Sequence, residues 1–325
     1  MRPNIQWPEG RAFAFTVFDD TDRATLDNVP HVYSFLRDLG LRTTKSVWPV
    51  EGVREPSVVG GLTCGDRDYL DLVLALQAEG FEIGYHNATY HSSTREETRV
   101  ALDVFERLFG HPPMSMANHT DCQEGIYWGV DRLTGANRLL YDILTRGRRR
   151  IFRGHVPGDR HFWGDLCRDR VRYVRNFTFP VVNTLEACPF MPYFDPGRPF
   201  VNLWFAASDG ENMRSFNRLV TEGNQDRLER EGGACIVYTH FGKGFVTGGR
   251  LDPRFRQLME RLARKDGWFV PVSTLLDHLA AARGRHVLTA GERARLERRW
   301  LFHRIRASSP RLTGTIRSLL TPSGT

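Results

Sequence analysis

The chain has 325 residues, of which 41% are hydrophobic and 26% are charged, and this composition indicates a globular protein with a substantial core. No run of about 18 or more apolar residues occurs, so no membrane-spanning helix is expected. The formal net charge is +7, but ten arginines and only two glutamates lie between residues 283 and 325, so the main body is nearly neutral and a nucleic-acid-binding core is not expected.

Short apolar runs alternate with longer amphipathic ones, which predicts strand–helix units. The predicted strands are 12–18, 44–50, 81–85, 114–117, 171–179, 201–206, 234–239 and 268–272. The predicted helices are 29–39, 68–78, 93–109, 137–144, 213–230, 253–265 and 273–282, and Ser93 with Glu96 is predicted to form the capping box of the third. Repeated units of this kind indicate an α/β fold with a parallel sheet inside a layer of helices. About seven units fit a closed or nearly closed barrel better than an open sheet.

The end of the chain differs from the rest in charge. Residues 292–306 form an amphipathic stretch in which arginines are interleaved with Trp300, Leu301 and Phe302. Such a pattern suits peripheral contact with an anionic membrane or an acidic partner. We therefore predict a barrel domain at 1–282 and a basic helical tail at 283–325, whose Ser-, Thr- and Pro-containing end is predicted to be flexible.

The five cysteines are scattered and form no C-x-x-C pair. Neither a disulfide framework nor a structural zinc knot is therefore expected, and packed, reduced thiols are predicted. The first ten residues lack the apolar segment of a signal peptide. These features predict a cytoplasmic protein, at most peripheral to a membrane.

Polar side chains follow several of the predicted strands. Asp19 and Asp20 follow the first strand, His86 and His91 follow the third, and His240 follows a late one. The carboxyl ends of parallel strands gather at one face of a barrel, so these side chains are expected to meet there. Two imidazoles and a carboxylate suit a divalent metal, and a second carboxylate can act as a base. Because adjacent side chains of a strand alternate in direction, the two aspartates are expected to take different roles.

Five further residues are candidates for substrate contact or for support of the site. Asn118 and His119 follow the fourth predicted strand, and Lys243 follows His240 within a short glycine-containing turn. Tyr193 and Trp204 belong to an aromatic cluster for which core packing is the default interpretation and stacking on a sugar ring is the functional one.

Three motifs together resemble those of the polysaccharide deacetylases (the NodB-homology family, carbohydrate esterase family four). They are Phe18-Asp19-Asp20, the histidine pair that follows Glu82-Ile83-Gly84, and the run Ile236–His240. Their order and reach match the family from residue 13 to residue 279. The resemblance implies a distorted (β/α)7 barrel, one divalent metal, usually zinc, and N-deacetylation of an acetylated amino sugar in a glycan or glycan precursor.

The same resemblance implies a role for each residue of the motifs. Asp19 would be the general base, Asp20, His86 and His91 would hold the metal, and His240 would be the general acid. The substrate partner would be an acetylated carbohydrate. Without a secretion signal, a lipid-linked or nucleotide-linked sugar is favoured over a cell-wall polymer.

The sequence departs from the family pattern at three points. The two histidines are spaced i, i+5 rather than i, i+4, so either the loop bulges or the second ligand differs. The arginine–proline pair that orients the base is replaced by residues 116–119, and Thr21 replaces a glycine. Two alternatives therefore stay open: a non-catalytic relative that binds a glycan or scaffolds a biosynthetic complex, and a non-haem iron enzyme or other C–N hydrolase.

Overall fold

A computed structural model describes residues 5–145 and 151–308 of the chain. The strands are β1 (Phe13–Asp19), β2 (Thr44–Val47), β3 (Glu82–Tyr85), β4 (Ser115–Met116), β5 (Tyr173–Phe179), β6 (Tyr193–Phe194), β7 (Leu203–Asp209), β8 (Ala234–Thr239), β9 (Val246–Thr247), β10 (Arg250–Leu251), β11 (Gly267–Trp268) and β12 (His286–Val287). The helices are α1 (Val29–Asp38), α2 (Arg67–Ala78), α3 (Arg95–Phe109), α4 (Gly135–Leu144), α5 (Gly164–Arg170), α6 (Thr184–Ala187), α7 (Met213–Leu219), α8 (Glu222–Arg230), α9 (Pro253–Ala263), α10 (Val272–Arg283) and α11 (Ala290–Ser308).

Seven parallel strands close the barrel. Each pairs with the next in the order β1, β2, β3, β4, β5, β7, β8, and β8 pairs back with β1 over six residues. The (β/α)7 barrel predicted from the sequence is thereby confirmed. The last predicted strand, 268–272, is the two-residue β11, which pairs with the start of β1 and does not close the ring.

Local chemistry explains most of the element boundaries. All seven residues of β1 are buried, as expected of a strand covered on both faces. The capping box of α3 is formed by Thr94 and Glu97, one residue later than predicted, because the backbone N–H of Ser93 donates to the carboxylate of Glu124 instead. The predicted helix 213–230 is two helices, α7 and α8, and the side chain of Gln225 donates to the carbonyl that Val220 exposes at the break.

The segment that follows α10 packs on the barrel. Strand β12 pairs with β6, and α11 buries Leu296, Trp300 and Leu301. The buried carboxylate of Glu297 accepts hydrogen bonds from the backbone N–H and the hydroxyl of Thr134. The division at residue 282 and the membrane contact of the tail stay predictions, and residues 309–325 of the predicted tail lie outside the described residues.

The described residues bear on two expectations from composition, those for membrane-spanning helices and for cysteines. No helix among them combines the length and the apolar character needed to cross a bilayer. All five cysteines are buried and free. Burial raises the pKa of thiols such as Cys64, whose pKa is about 12, so these thiols are protonated packing groups at neutral pH.

A buried ion pair lies between β1 and β2. The ammonium nitrogen of Lys45 is 3.2 Å from Asp19 Oδ2, and both side chains are almost fully buried. Asp19 also accepts hydrogen bonds from the Tyr33 hydroxyl at 2.9 Å and from the Phe241 backbone N–H at 2.7 Å. Burial raises the pKa of Asp19, although the Lys45 charge opposes this. Asp19 is thus held by α1 and by neighbouring backbone on the helix side of the barrel wall.

Replacing Lys45 with methionine should destabilise the protein strongly, because it leaves the Asp19 carboxylate buried without its cation. We expect a loss of about 3–5 kcal/mol in the free energy of unfolding, measured by urea titration. The double variant Asp19→Asn/Lys45→Met removes both charges and should lose clearly less. A Lys45→Met variant as stable as the parent would show that the pair contributes nothing.

Candidate metal centre

Three side chains converge at the carboxyl ends of the strands. Asp22 follows β1, His86 follows β3 and His119 follows β4, and all three are buried. His86 Nε2 lies 3.2 Å from Asp22 Oδ2 and 3.2 Å from His119 Nδ1. His119 Nδ1 lies 3.4 Å from Asp22 Oδ1. These atoms form one of the groupings in the described residues that could hold a metal ion.

The hydrogen bonds at the rim of the cluster fix which atoms face inward. His86 Nδ1 contacts the Ala117 carbonyl, 3.0 Å away, so Nε2 is the nitrogen that faces Asp22 and His119. Burial lowers the pKa of His119 to about 4, so the His119 ring is neutral at neutral pH. Burial opposes ionisation of Asp22, but hydrogen bonds from His240 and His86 hold its pKa well below the ordinary value.

A divalent cation fits this arrangement. Tetrahedral bonds of about 2.0–2.1 Å to nitrogen and oxygen place neighbouring ligand atoms about 3.3 Å apart. His86 Nε2 lies 3.2 Å from both His119 Nδ1 and Asp22 Oδ2, and His119 Nδ1 lies 3.4 Å from the other Asp22 oxygen, Oδ1. A backbone carbonyl that accepts from the far nitrogen of a ligating histidine, as Ala117 does for His86, is the usual orienting contact at metal sites. Asp22, His86 and His119 therefore meet the chemical and geometric requirements of a metal site.

Asp20 lies beside this cluster and is held by Arg175 of β5. The two guanidinium nitrogens donate to the two carboxylate oxygens at 2.7 and 2.6 Å. Both side chains are buried. Burial opposes the charge of Asp20, but the Arg175 cation, its hydrogen bonds and the nearby His86 and His240 together outweigh burial and lower the pKa of the carboxyl. The result is an ionised carboxylate fixed in orientation by a two-point ion pair.

His240 borders the cluster from β8. Its Nδ1 donates to the Glu211 carbonyl at 2.6 Å, which turns Nε2 toward Asp22 Oδ2 at 3.2 Å. Burial disfavours the charged ring, but the hydrogen bond with Asp22 and the negative charges of Asp22 and Asp20 together outweigh it and raise the pKa of His240. The site therefore favours the protonated form of His240.

A second layer of contacts holds the loops that carry the histidines. Asn87 has a positive φ of 66°, and its side chain accepts from the His119 backbone N–H at 3.2 Å. The same side chain donates to Glu124 at 2.9 Å, and the Ser93 N–H donates to the other oxygen of Glu124 at 3.0 Å. Burial raises the pKa of Glu124 to about 7, although these hydrogen bonds oppose the shift. Glu124 thus joins the loops after β3 and β4.

The cluster lies in a pocket with a volume of about 580 Å³. Asp20, Asp22 and the three histidines His86, His119 and His240 line it. Aromatic and basic side chains contribute the remaining surface, among them Trp128, Arg132, Trp300 and Arg304. Several of these come from α11 or from the turn before α4, so the pocket extends beyond the strand ends.

The structure does not bring two of the predicted site residues to this cluster. Asp19 points to the helix side of the barrel wall, where its carboxylate is paired with Lys45. His91 accepts from the Val53 N–H at its Nε2, 3.0 Å away, and its Nδ1 contacts the Ser92 carbonyl at 3.1 Å. The two nitrogens of His91 are therefore used by the segment after β2 and by its own loop, and His119 stands beside His86 in its place.

The remaining candidates divide into two groups. Asn118 and Lys243 line the pocket, and Lys243 Nζ lies 3.2 Å from His240 Nε2. Asn118 also ties its loop together, because its side chain bonds both the N–H and the carbonyl of Ile126. Tyr193 and Trp204 are buried core residues that do not line this pocket.

Asp22 and Arg175 were missed by the sequence-based prediction. Asp22 is the third carboxylate of the run Asp19-Asp20-Thr21-Asp22, so the acidic segment was longer than the two residues considered. Arg175 stands alone in an apolar and aromatic strand, and a charged residue in a buried strand requires a partner. That requirement was the available signal, but it could not identify Asp20 as the partner.

No family model matches the sequence, and no curated protein matches it. Its fold does resemble solved structures. The Puue allantoinase matches with a TM-score of 0.50 at 13% sequence identity, over 86% of this chain and 94% of that protein. A probable polysaccharide deacetylase from Pseudomonas aeruginosa PAO1 matches with a TM-score of 0.49 at 13% identity, over 86% of this chain and 95% of that one. At such identity, the likeness to the allantoinase shows a shared fold alone.

Alanine at His86 or His119, or asparagine at Asp22, should abolish metal binding, because each change removes one of three converging ligands. We expect about one Zn²⁺ per parent chain and near zero per variant after dialysis, measured by elemental analysis. His91→Ala is the matched control, since it removes a buried histidine from the same loop as His86, and it should retain the metal. Loss of the metal in His91→Ala, with retention in His119→Ala, would contradict the geometry.

Glu124 should make stability depend on pH. Its pKa is about 7 in the folded protein against an ordinary value of 4.5, so its contribution is present below pH 4.5 and is lost as the pH rises to about 7. The free energy of unfolding of the parent should therefore fall relative to that of Glu124→Gln, by up to about 3 kcal/mol over this range. Urea unfolding at several pH values measures the difference, and a constant difference would contradict the shift.

Proposed function

We propose that this chain is a metal-dependent hydrolase that cleaves the amide C–N bond of an N-acetylated amino sugar. The observation that carries the proposal is the convergence of Asp22, His86 and His119 at 3.2–3.4 Å on the surface of a pocket. An ionised carboxylate and a proton-bearing imidazole stand beside them. This combination of ligands, base and acid suits amide hydrolysis.

The proposed ligands differ in part from those implied by the sequence motifs. Asp22, His86 and His119 would hold one divalent cation, with zinc suited to the two nitrogens and one oxygen. When bound, such a cation polarises a carbonyl group and lowers the pKa of a water molecule. His86 is retained from the predicted set, whereas Asp20 moves to a different role and His91 is left out.

Asp20 is proposed as the general base in place of Asp19. Its ion pair with Arg175 keeps the carboxylate ionised and fixes its direction. It would accept the proton that a water molecule gives up as its oxygen bonds to the amide carbon. Arg175 supplies the arginine that the motif at 116–119 lacks, and this supports the catalytic proposal over a non-catalytic relative.

His240 keeps its predicted role as the general acid. Its Nδ1–H donates to the Glu211 carbonyl, so Nε2 is the atom that exchanges a proton on the pocket side. The raised pKa favours the protonated form of the ring. As the C–N bond breaks, His240 would give its proton to the departing amine, and the products would be acetate and a free amino sugar.

The test is acetate release from a panel of N-acetylated sugars by protein loaded with Zn²⁺, Co²⁺ or Fe²⁺. Acetate release that depends on the metal supports the proposal. A site of two histidines and one carboxylate also suits Fe²⁺ chemistry with oxygen. Oxygen consumption with Fe²⁺, and no acetate with any metal, would replace the proposal with an iron enzyme. Metal binding without turnover on any substrate would favour the non-catalytic relative.

Three variants test whether Asp20 or Asp19 is the general base. Asp20→Asn and His240→Gln should each lower kcat by about 10²–10⁴-fold while the metal is retained, because each removes one proton transfer. The matched control is Asp19→Asn/Lys45→Met, which neutralises the neighbouring carboxylate with its cation and should retain kcat in the folded fraction. Loss of activity in the control, with activity kept in Asp20→Asn, would return the base role to Asp19.

A further inference from the structure

Arg132 lies in the pocket between two indole rings. Its guanidinium carbon is 3.3 Å from the ring centre of Trp128 and 5.3 Å from that of Trp300. The side chain is only 8% exposed, and Arg132 lines the same pocket as the metal cluster. Stacking on Trp128 fixes the plane of the guanidinium, so its donors can point only along that plane.

This guanidinium has no anionic partner among the described residues. None of the ion pairs between them involves Arg132, and its buried Nε has no hydrogen-bond partner. Burial and the nearby Arg304 cation lower the pKa of Arg132 to about 9, so the group is still charged at neutral pH. A buried charge without a counter-ion is unfavourable, and a ligand that supplies the anion would remove that cost.

The other arginine and lysine side chains of the pocket are paired or exposed, and Arg304 is exposed. Arg175 is paired with Asp20, and Lys243 lies 3.4 Å from the carboxylate of Glu211. Asp22 belongs to the candidate metal cluster. Arg132 is therefore the buried cation of the pocket that is left for a substrate.

We propose that Arg132 binds an oxyanion of the substrate, a phosphate or a carboxylate attached to the acetylated sugar, while Trp128 and Trp300 bound the same subsite. The inference rests on the proposed function, because it places the charged group and the acetamide of one substrate in one pocket. A planar guanidinium offers two parallel donors to such a group. The site would thus select charged sugars or sugar derivatives over neutral ones.

Binding tests the inference without requiring turnover. The probes are N-acetylglucosamine, N-acetylglucosamine 1-phosphate and N-acetylmuramic acid, which present no anion, a phosphate and a carboxylate. Calorimetric titration of the full chain should show at least about tenfold tighter binding of one charged probe than of the neutral sugar. Comparison of the two charged probes tells which oxyanion the site prefers.

Variants locate the source of the selectivity. Arg132→Met should remove the advantage of the charged probe and leave binding of the neutral sugar unchanged. Arg132→Lys should keep part of the advantage, because the positive charge stays but the two parallel donors of the guanidinium are lost. Arg138→Met is the matched control, since Arg138 pairs with Asp131 at 3.1 Å and is 44% exposed; it should retain full selectivity. His86→Ala, which disrupts the metal cluster, should retain it too.

Three results would overturn the inference. One is equal affinity of the parent for neutral and charged probes, and another is a charged-probe advantage that survives in folded Arg132→Met. The third is loss of the advantage in His86→Ala, which would place the anion at the metal cluster. Failure of the proposed hydrolysis appears separately, as absence of acetate release from protein that still selects charged probes through Arg132.

Discussion

The ion pair between Asp20 and Arg175 is the interaction on which the arrangement of the site depends. It joins the end of β1 to β5, two strands that are not neighbours in the barrel. Two buried charges of opposite sign satisfy each other, which permits a carboxylate to remain ionised where water is scarce. With Asp20 occupied in this way, Asp22 is the carboxylate that faces His86 and His119.

The barrel could be predicted from the sequence because its signals are local. Runs such as Cys235–Tyr238 are apolar throughout, and the amphipathic segments between the strands have helical periodicity. The opposed directions of Asp19 and Asp20 also followed from strand geometry. Strand geometry could not tell which of the two aspartates faces the pocket. That depends on Lys45 and Tyr33 on one side and on Arg175 on the other, and these contacts join segments far apart in the chain.

The choice between His91 and His119 shows a second limit. Sequence spacing places His91 near His86, but the backbone turns at Asn87 through a positive φ, and the two nitrogens of His91 then contact the backbone of Val53 and Ser92. His119 reaches the cluster from the next strand. The i, i+5 spacing of His86 and His91 indicated that the second ligand could differ. That His119 takes the place of His91 depends on tertiary contacts, which the spacing does not show.

Helix α11 gives the pocket a wall that the barrel does not provide. Trp300 and Arg304 line the pocket, and Glu297, one turn earlier, is bonded to Thr134, two residues beyond Arg132. The groups assigned to bond cleavage, in contrast, all come from strand ends between residues 20 and 240. Under the proposed roles, Arg132 and Trp128 of the anion subsite also lie within that part of the chain, but Trp300 of α11 does not, so changes in α11 would alter substrate choice during evolution while the groups assigned to the reaction stay in place.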